Sequence, residues 1–243
     1  MAIADAIVIS DLHLGSENCE AKALVAFLES IRAGRIPAAR IILNGDVFDS
    51  IDFRRLKKHH WKVLSTLRKI SDEVPVVWVC GNHDGSAEIV SHLLGVEVVD
   101  EYTVESEGGK VMFLHGHQFD KFISKYPVAT WIADRFYRLL QKLDRSHYFA
   151  KLAKRRSKIF LRSTETIRAG AIAYGASHGA DVVCCGHTHR AIEDHSGEVA
   201  YFNSGCWTER PCHYLRVGEG KVELCAYTPE WMAEGVPTEM AYA

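Results

Sequence analysis

The chain has 243 residues, of which 47% are hydrophobic, 25% charged and 10% aromatic, a composition that excludes disordered, fibrous and collagen-like proteins. Its formal net charge of -2 argues against a general nucleic-acid binder. The near-neutral total hides a segregation, because residues 121–162 carry twelve Lys and Arg against two Asp, which leaves the rest of the chain acidic.

The order of apolar runs and helical spacings predicts an α/β fold. Strands are predicted at 3–10, 40–43 and 75–80, and helices at 20–33, 54–71 and 86–94. The helix at 54–71 is expected to bury a stripe of Leu56, Trp61, Leu64 and Leu67. Further strands are predicted at 96–99, 102–106, 110–115, 181–185, 191–195, 198–203, 212–217 and 221–227, with two or three helices over 128–179. This order indicates a layered fold with a mixed sheet, expected as a single domain over 1–243.

The N-terminal segment and the cysteines predict a cytoplasmic protein. Residues 1–10 run into a predicted strand without a basic start or a cleavage site, so no secretory signal is expected. No window approaches the ~18 apolar residues that a membrane-spanning helix needs. The seven cysteines are an odd, scattered set without a Cys-x-x-Cys pair, which fits a reducing compartment.

Ligand-type side chains follow five of the predicted strands. They are Asp11 and His13, then Asp46 and Asp49, then Asn82, His83 and Asp84, then His115 and His117, and finally His187 and His189. Open α/β sheets place their sites at the carboxyl ends of strands. In extended chain, residues two apart point to the same side, so the Asp-x-His and His-x-His pairs can converge on one ion.

These side chains supply oxygen and imidazole ligands and no thiolate. One ion takes about four to six ligands, so the number of candidates suits a pair of divalent ions. A pair needs a carboxylate that bridges the two ions, and Asp46 is central enough for that role. A mixed nitrogen and oxygen set suits Mn, Fe, Zn or Ni.

In this order, the five motifs resemble those of the calcineurin-like metallophosphoesterases. The family pattern D-x-H, G-D-x-x-D, G-N-H-D/E, H-G-H or H-G-D, and G-H-x-H is present from residue 9 to about 205. One such fragment is a weak signal, whereas five in the same order are specific. The resemblance implies a four-layer αββα sandwich of two mixed β-sheets flanked by helices, with a helical lid insertion.

The resemblance also implies roles for the motif residues. One metal would be held by Asp11, His13, Asp46 and His189, and the other by Asp46, Asn82, His115 and His187. His83 would face the phosphate as general acid or transition-state stabiliser, with Asp84 orienting it. A hydroxide activated by the ions would attack phosphorus. Asp49 would hold a metal-ligating side chain in place without binding the metal itself. The metal expected first is Mn, with Fe, Zn and Ni as alternatives.

Within that family the chain is similar to the UDP-2,3-diacylglucosamine diphosphatases of lipid A biosynthesis. The similarity rests on SDLHLG at 10–15, LNGDVFD at 43–49 and a helical insertion between the motifs of His115 and His187. It implies cleavage of a lipid-linked nucleotide diphosphate to UMP and 2,3-diacylglucosamine 1-phosphate. The chain departs from the pattern at His83 and His117, where those enzymes often carry Arg and Asp.

The insertion, residues 121–162, is predicted to form a basic amphipathic lid. Its cationic faces can bind diphosphate groups or contact the anionic cytoplasmic face of the inner membrane, although most basic helix faces are simply solvated. The residues expected to contact substrate are His117, Arg135, Lys151, Lys154, Arg155 and Lys158.

The sequence leaves two other functions open. A general phosphodiesterase or nucleotidase would act on another small anionic substrate. A non-catalytic scaffold would use the fold to bind a membrane or a partner, although a scaffold has no need for two complete sets of ligands. No nucleic-acid partner is expected, and the sequence leaves the oligomeric state undetermined.

Overall fold

A computed structural model describes residues 3–85, 87–120 and 158–229. Its strands are β1 (Ala6–Ile9), β2 (Ile41–Asn44), β3 (Val76–Val79), β4 (Glu97–Val99), β5 (Glu101–Ser106), β6 (Gly109–Leu114), β7 (Val182–Cys185), β8 (Ala191–Asp194), β9 (Ala200–Ser204), β10 (Cys212–Gly218) and β11 (Lys221–Tyr227). Its helices are α1 (Ala21–Arg32), α2 (Lys58–Ser71), α3 (Ala87–Leu94) and α4 (Lys158–Ser177), with 3-10 turns at Phe53–Arg55 and His117–Phe119. Each strand overlaps a strand predicted from the sequence.

The strands form two mixed sheets. The first sheet has the order β11-β10-β1-β2-β3-β4, in which β1 to β4 are parallel, β10 pairs antiparallel with β1, and β11 pairs antiparallel with β10. The second sheet has the order β5-β6-β7-β9-β8, in which β6, β7 and β9 are parallel and the two outer strands run antiparallel. Parallel strands in the middle of both sheets bring several carboxyl ends to one edge.

Three apolar cores separate four layers. Side chains alternate along β1, so that Ile7 and Ile9 pack against the layer of α1, α2 and α3, while Val8 lies in the core between the two sheets. Along β6, Phe113 lies in that same middle core and Leu114 packs toward α4. Both faces of each sheet are therefore covered, and the predicted αββα sandwich is confirmed.

Helix α2 differs from its prediction at its start and on its buried face. Leu56 has extended backbone dihedrals, which end the preceding 3-10 turn, and the helix begins only at Lys58. Its buried face runs through His60, Val63, Leu64, Leu67 and Ile70. Trp61 follows His60 and is rotated by ~100° from it, so it points outward and is 53% exposed. The expectation that Trp61 belongs to the buried stripe is wrong.

The end of β2 is tied to the second sheet by one buried side chain. The amide of Asn44 donates hydrogen bonds of 3.2 Å to the carbonyls of Leu114 and Cys184, which lie at the ends of β6 and β7. Because Asn44 is fully buried, these bonds fix the relative position of the two sheets at the edge that carries the motifs.

The predicted lid lies mostly outside the described residues. Of residues 121–162, only the part from 158 onward is described, and it forms the start of α4. Among the described helices, none is both long enough and apolar enough to cross a membrane.

Candidate metal centre

Two groups of ligand-type side chains lie at the carboxyl edge of the two sheets. The first cluster consists of Asp11, His13 and His189, and the second cluster of Asp46, His115 and His187. In each cluster the candidate ligand atoms lie within 4.8 Å of one another. The division agrees with the one implied by the motif resemblance, since the two histidines of the last motif fall in different clusters.

The first cluster is built around the buried carboxylate of Asp11. Its Oδ2 accepts a hydrogen bond of 3.0 Å from the backbone N–H of His187, which leaves Oδ1 facing the imidazoles. Oδ1 lies 3.2 Å from Nε2 of His189 and 3.8 Å from Nε2 of His13. The two Nε2 atoms are 3.1 Å apart. Three potential donor atoms therefore converge on one small volume, as a cation site requires.

Asp46 connects the two clusters. Its Oδ1 accepts a hydrogen bond of 3.0 Å from the backbone N–H of His83. Its Oδ2 lies 3.7 Å from Nε2 of His13 in the first cluster and 3.4 Å from Nε2 of His115 in the second. One carboxylate oxygen therefore faces both clusters, which suits a ligand shared between two ions.

Buried atoms without hydrogen bonds show that these residues fit cations. Within the described part of the chain, Oδ1 of Asp11 and Nε2 of His115 are buried and make no hydrogen bond. Such an atom costs about 1–3 kcal/mol if it stays unsatisfied. Nδ1 of His115 donates to the carbonyl of Asn44 at 2.9 Å, so the neutral ring carries its free lone pair on Nε2. Divalent ions would satisfy both atoms.

The backbone is strained where the ligands lie. In residues 3–85, 87–120 and 158–229, six residues other than glycine have φ in the left-handed region, and five of them belong to the clusters. These five are Asp11, His13, Asp46, His187 and His189. The left-handed conformation costs about 1–2 kcal/mol for an ordinary residue. Strain concentrated at one place in a fold indicates a functional site, because the surrounding structure must offset it.

Two motif glycines allow the loops to approach the ligands closely. A Cβ atom on Gly45 would lie 2.2 Å from Nδ1 of His115, and one on Gly81 would lie 2.3 Å from the backbone nitrogen of Asp46. Both distances are far inside van der Waals contact. The glycines of these motifs are therefore required by the ligands that pack against them.

His83 lies at the mouth of the centre. Its Nδ1–H donates to the carbonyl of Asp49 at 3.0 Å, which turns Nε2 inward to 4.0 Å from Oδ2 of Asp46. The side chain is 42% exposed, so an incoming phosphate can reach it. Asn82, the preceding residue, has an exposed side chain, and its role as a ligand stays a prediction.

Asp84 has partners other than the ring that it was expected to orient. Its buried carboxylate accepts hydrogen bonds of 3.0–3.2 Å from Nε1 of Trp78 and from the backbone N–H groups of Gly81 and Phe48. The described hydrogen bonds of Asp84 do not include the ring of His83, so the orienting role needs correction. The reason is that three N–H donors occupy the buried carboxylate, whereas the ring of His83 bonds to the carbonyl of Asp49 instead. Asp84 braces the loop that carries His83.

Asp49 and Arg55 lie behind the first cluster. Oδ1 of Asp49 lies 3.6 Å from Nδ1 of His13, and Oδ2 lies 2.5 Å from Nη1 of Arg55. Burial alone raises the pKa of Asp49, but His13 and Arg55 outweigh it and lower this pKa to about 2. The carboxylate therefore stays charged and can hold the ring of His13 in place.

The buried carboxylates of the two clusters demand positive charge. Burial lowers the pKa of His13, but contacts with Asp11 and Asp49 and the charge of Asp46 raise this pKa to about 10. Burial likewise lowers the pKa of His115, yet the charge of Asp46 raises it to about 9. Burial raises the pKa of Asp46, and the imidazoles of His115 and His13 more than reverse that effect. In a metal-stripped protein, protons on these histidines would supply the charge that the carboxylates require.

The structure places the predicted substrate contacts only in part. His117 begins the 3-10 turn after β6, with its ring centroid 5.6 Å from that of His115 and 6.4 Å from that of His187. Burial, and then these two imidazoles, lower the pKa of His117 to about 4. Outside the described residues lie Arg135, Lys151, Lys154 and Arg155, together with the side chain of Lys158 at the start of α4.

Asp120 belongs to the site but was missed by sequence reasoning. Its Oδ2 lies 3.3 Å from Nε2 of His187 and accepts a hydrogen bond of 3.1 Å from Ser163 on α4. The available signal was a carboxylate three residues after His117, in the same loop as the His-Gly-His motif. Such a residue is common in surface turns, and the packing of α4 on this loop brings it to the centre.

The chain is similar to a known protein family and to several solved structures. A family model described as "Calcineurin-like phosphoesterase superfamily domain" matches residues 5–217. Among solved structures, a novel archaeal phosphodiesterase is similar at 14% identity, with 91% of this chain and 99% of the other covered and a TM-score of 0.49. YfcE, a phosphoesterase from E. coli, is similar at 16% identity, with 92% and 99% covered and a TM-score of 0.48. Vacuolar protein sorting 29 from Cryptosporidium parvum is similar at 14% identity, with 93% and 98% covered and a TM-score of 0.44. No curated protein matches the sequence.

Proposed function

The chain belongs to the calcineurin-like phosphoesterase superfamily and is a metal-dependent phosphoester hydrolase, and we propose that it cleaves a phosphodiester or diphosphate at the two clusters. The observation that carries this proposal is the position of Asp46, whose Oδ2 faces imidazoles of both clusters at 3.4 and 3.7 Å. When bound by the first and second clusters, two divalent ions would supply Lewis acidity that offsets the charge of the reacting phosphoryl oxygens.

The residues of the chain have distinct tasks in this reaction. Asp11, His13 and His189 would hold one ion, and Asp46, His115 and His187 the other. His83 is placed to bind the phosphate, because its Nδ1–H is held by the carbonyl of Asp49 and its Nε2 faces the centre. When protonated, Nε2 can donate a proton to the leaving oxygen or a hydrogen bond to a phosphoryl oxygen.

We propose Mn as the physiological metal, with Fe, Zn and Ni as alternatives. The support is the donor set, since each cluster offers one carboxylate and two imidazoles. The seven cysteines of the chain are all free thiols, and neither cluster includes one of them. Mixed nitrogen and oxygen donors suit these divalent ions. Cu(I) prefers sulfur ligands, and Mg prefers sites made of oxygen ligands alone.

For the substrate we propose UDP-2,3-diacylglucosamine, cleaved to UMP and 2,3-diacylglucosamine 1-phosphate. Support comes from the motif segments 10–15 and 43–49 and from the basic residues 121–162, whose twelve Lys and Arg suit an anionic lipid nucleotide. In this proposal the lid contacts the diphosphate through Arg135, Lys151, Lys154, Arg155 and Lys158. The same basic surface would hold a cytoplasmic protein peripherally on the cytoplasmic face of the inner membrane.

A second candidate is a phosphodiesterase for another small anionic substrate. His83 and His117 favour it, because they stand where the lipid A enzymes often carry Arg and Asp. His117 lies beside His115 and His187 in the structure, so a change of residue there alters the surface that meets the phosphate.

Substrate turnover by the Mn-reconstituted protein tests these proposals. Release of UMP from UDP-2,3-diacylglucosamine supports the first candidate, and turnover restricted to bis-p-nitrophenyl phosphate or soluble nucleotides supports the second. His83→Gln should lower kcat by ~100-fold or more while the bound metal is retained. The matched control is His59→Gln, at an exposed histidine of α2. If His83→Gln and the control are equally active, the role of His83 is refuted.

A further inference from the structure

The second cluster has a carboxylate on the outer side of one of its imidazoles. Oδ2 of Asp120 lies 3.3 Å from Nε2 of His187, and both side chains are only 9% exposed. Asp120 follows the 3-10 turn at His117–Phe119, whereas His187 follows β7. The contact therefore joins two loops of the second sheet that are distant in sequence.

This contact determines which nitrogen of His187 can meet an ion. A neutral imidazole has one N–H and one lone pair, and a carboxylate accepts only the N–H. A proton held on Nε2 by Asp120 leaves the lone pair of the neutral ring of His187 on Nδ1. His115 is arranged in the opposite sense, since its Nδ1–H donates to the carbonyl of Asn44 and its Nε2 faces Asp46.

The two clusters are supported in the same manner. Behind the first cluster, Oδ1 of Asp49 faces Nδ1 of His13, and Arg55 holds the carboxylate from the other side. Behind the second, Asp120 faces His187, and the hydroxyl of Ser163 on α4 donates to the same oxygen at 3.1 Å. In each case a buried or half-buried carboxylate stands between an imidazole and a second donor.

From this arrangement we infer that Asp120 is a positioning residue of the second cluster. Its carboxylate fixes the tautomer and the orientation of His187, so that Nδ1 is the ligand atom, and Ser163 couples that carboxylate to α4. This inference rests on the proposed function, because it assigns Asp120 to the support of the second ion. Partners of this kind typically contribute 10- to 100-fold in metal affinity.

Zinc titration of the full chain, with calorimetry to separate two binding events, tests the inference. Asp120→Ala should weaken the second ion by ~10- to 100-fold and leave the first within about twofold. Asp120→Asn keeps an oxygen that can accept from Nε2–H, so it should retain most of the affinity. Ser163→Ala should have a smaller effect in the same direction. Its matched control is Ser177→Ala, at the exposed end of α4, where the hydroxyl bonds to the carbonyl of Tyr174.

The ligand atom of His187 can be read directly. In the zinc-loaded protein labelled with 15N-histidine, the ring of His187 should show a metal-bound Nδ1 and a protonated Nε2. Circular dichroism of Asp120→Ala and Asp120→Asn establishes that both variants are folded before their affinities are compared.

Three results would overturn the inference. These are unchanged affinity for the second ion in Asp120→Ala, ligation of His187 through Nε2, or equal losses in Asp120→Ala and Asp120→Asn, which would make Asp120 a direct ligand. Failure of the proposed function can be told apart from failure of this inference. If the wild-type protein binds two ions but hydrolyses no phosphoester, the tautomer of His187 can still be measured.

Discussion

Nδ1 of His115 donates a hydrogen bond of 2.9 Å to the carbonyl of Asn44, which joins the carboxyl ends of the two sheets at the metal centre. Asn44 ends β2 in the first sheet, and His115 follows β6 in the second. The amide of Asn44 also donates to Leu114 beside it. The geometry of the second cluster thus depends on how the two sheets pack. Small structural changes at this junction should therefore alter metal binding.

Gly81 provides a direct test of that dependence. In Gly81→Ala the new Cβ would lie 2.3 Å from the backbone nitrogen of Asp46, which cannot move without displacing the loop. We expect a loss of about 1–3 kcal/mol in the free energy of unfolding and a large loss of phosphodiesterase activity. The matched control is Gly85→Ala in the same loop, where the nearest atom is 3.8 Å away. Urea denaturation and a turnover assay compare the two, and equal behaviour would contradict the close-approach explanation.

Two adjacent arginines, Arg54 and Arg55, allow a specific support of the first cluster to be distinguished from a general effect of surface charge. Arg55 pairs with Asp49 behind His13, whereas Arg54 pairs with Asp52 and its side chain is 90% exposed. We expect Arg55→Gln to weaken the first ion by ~10-fold, because the carboxylate that holds His13 loses its own partner. Arg54→Gln should leave both affinities unchanged. Metal titration checks this, and a comparable loss in the two variants would show that only net charge matters.

Removal of the shared carboxylate should affect both ions. In Asp46→Asn we expect the bound metal to fall from two ions to one or fewer, and activity to fall by more than ~100-fold, since charge stabilisation worth several kcal/mol is lost. Asp72→Asn, at the exposed end of α2, is the control. Elemental analysis of the purified variants measures the metal content. Two tightly bound ions in Asp46→Asn would refute the bridging position.

The stability of the metal-stripped protein should depend on pH through the site. Against an ordinary histidine pKa of 6.5, the pKa of His13 is raised to about 10 and that of His115 to about 9. A group whose pKa is raised on folding stabilises the protein below pH 6.5, and this contribution is lost as the pH rises through about 9 to 10. Urea unfolding of the stripped protein should therefore show falling stability over that window.

The metal-loaded protein is the internal comparison for that experiment. Ions displace the protons from the histidines, so loading should release protons and the metal should bind more tightly as the pH rises. The stability gained on loading should therefore grow from pH 6 to pH 9. A gain that stays constant over this range would contradict protonated histidines in the ion-free centre.

Much of the architecture follows from local patterns. The apolar run along β1 predicts a buried strand, and in the structure both of its faces meet a core. Glycines and polar residues directly after the strands predict a site at their carboxyl ends, since parallel strands bring those ends to one edge. For this reason the sequence motifs alone predict all six clustered carboxylates and imidazoles as candidate ligands.

Other features depend on contacts between distant segments, which no local pattern encodes. The exposure of Trp61 follows from how α2 packs on the sheet, because the face that meets the core runs through His60 and Val63 and leaves Trp61 outside it. The partners of Asp84 include the backbone N–H of Phe48, which belongs to the loop after β2, 36 residues away in sequence. Asp120 reaches His187 only because α4 and the loop after β6 pack together. Motif residues thus identify the ligands, whereas the packing of sheets and helices decides which nitrogen each imidazole offers and which carboxylate holds it there.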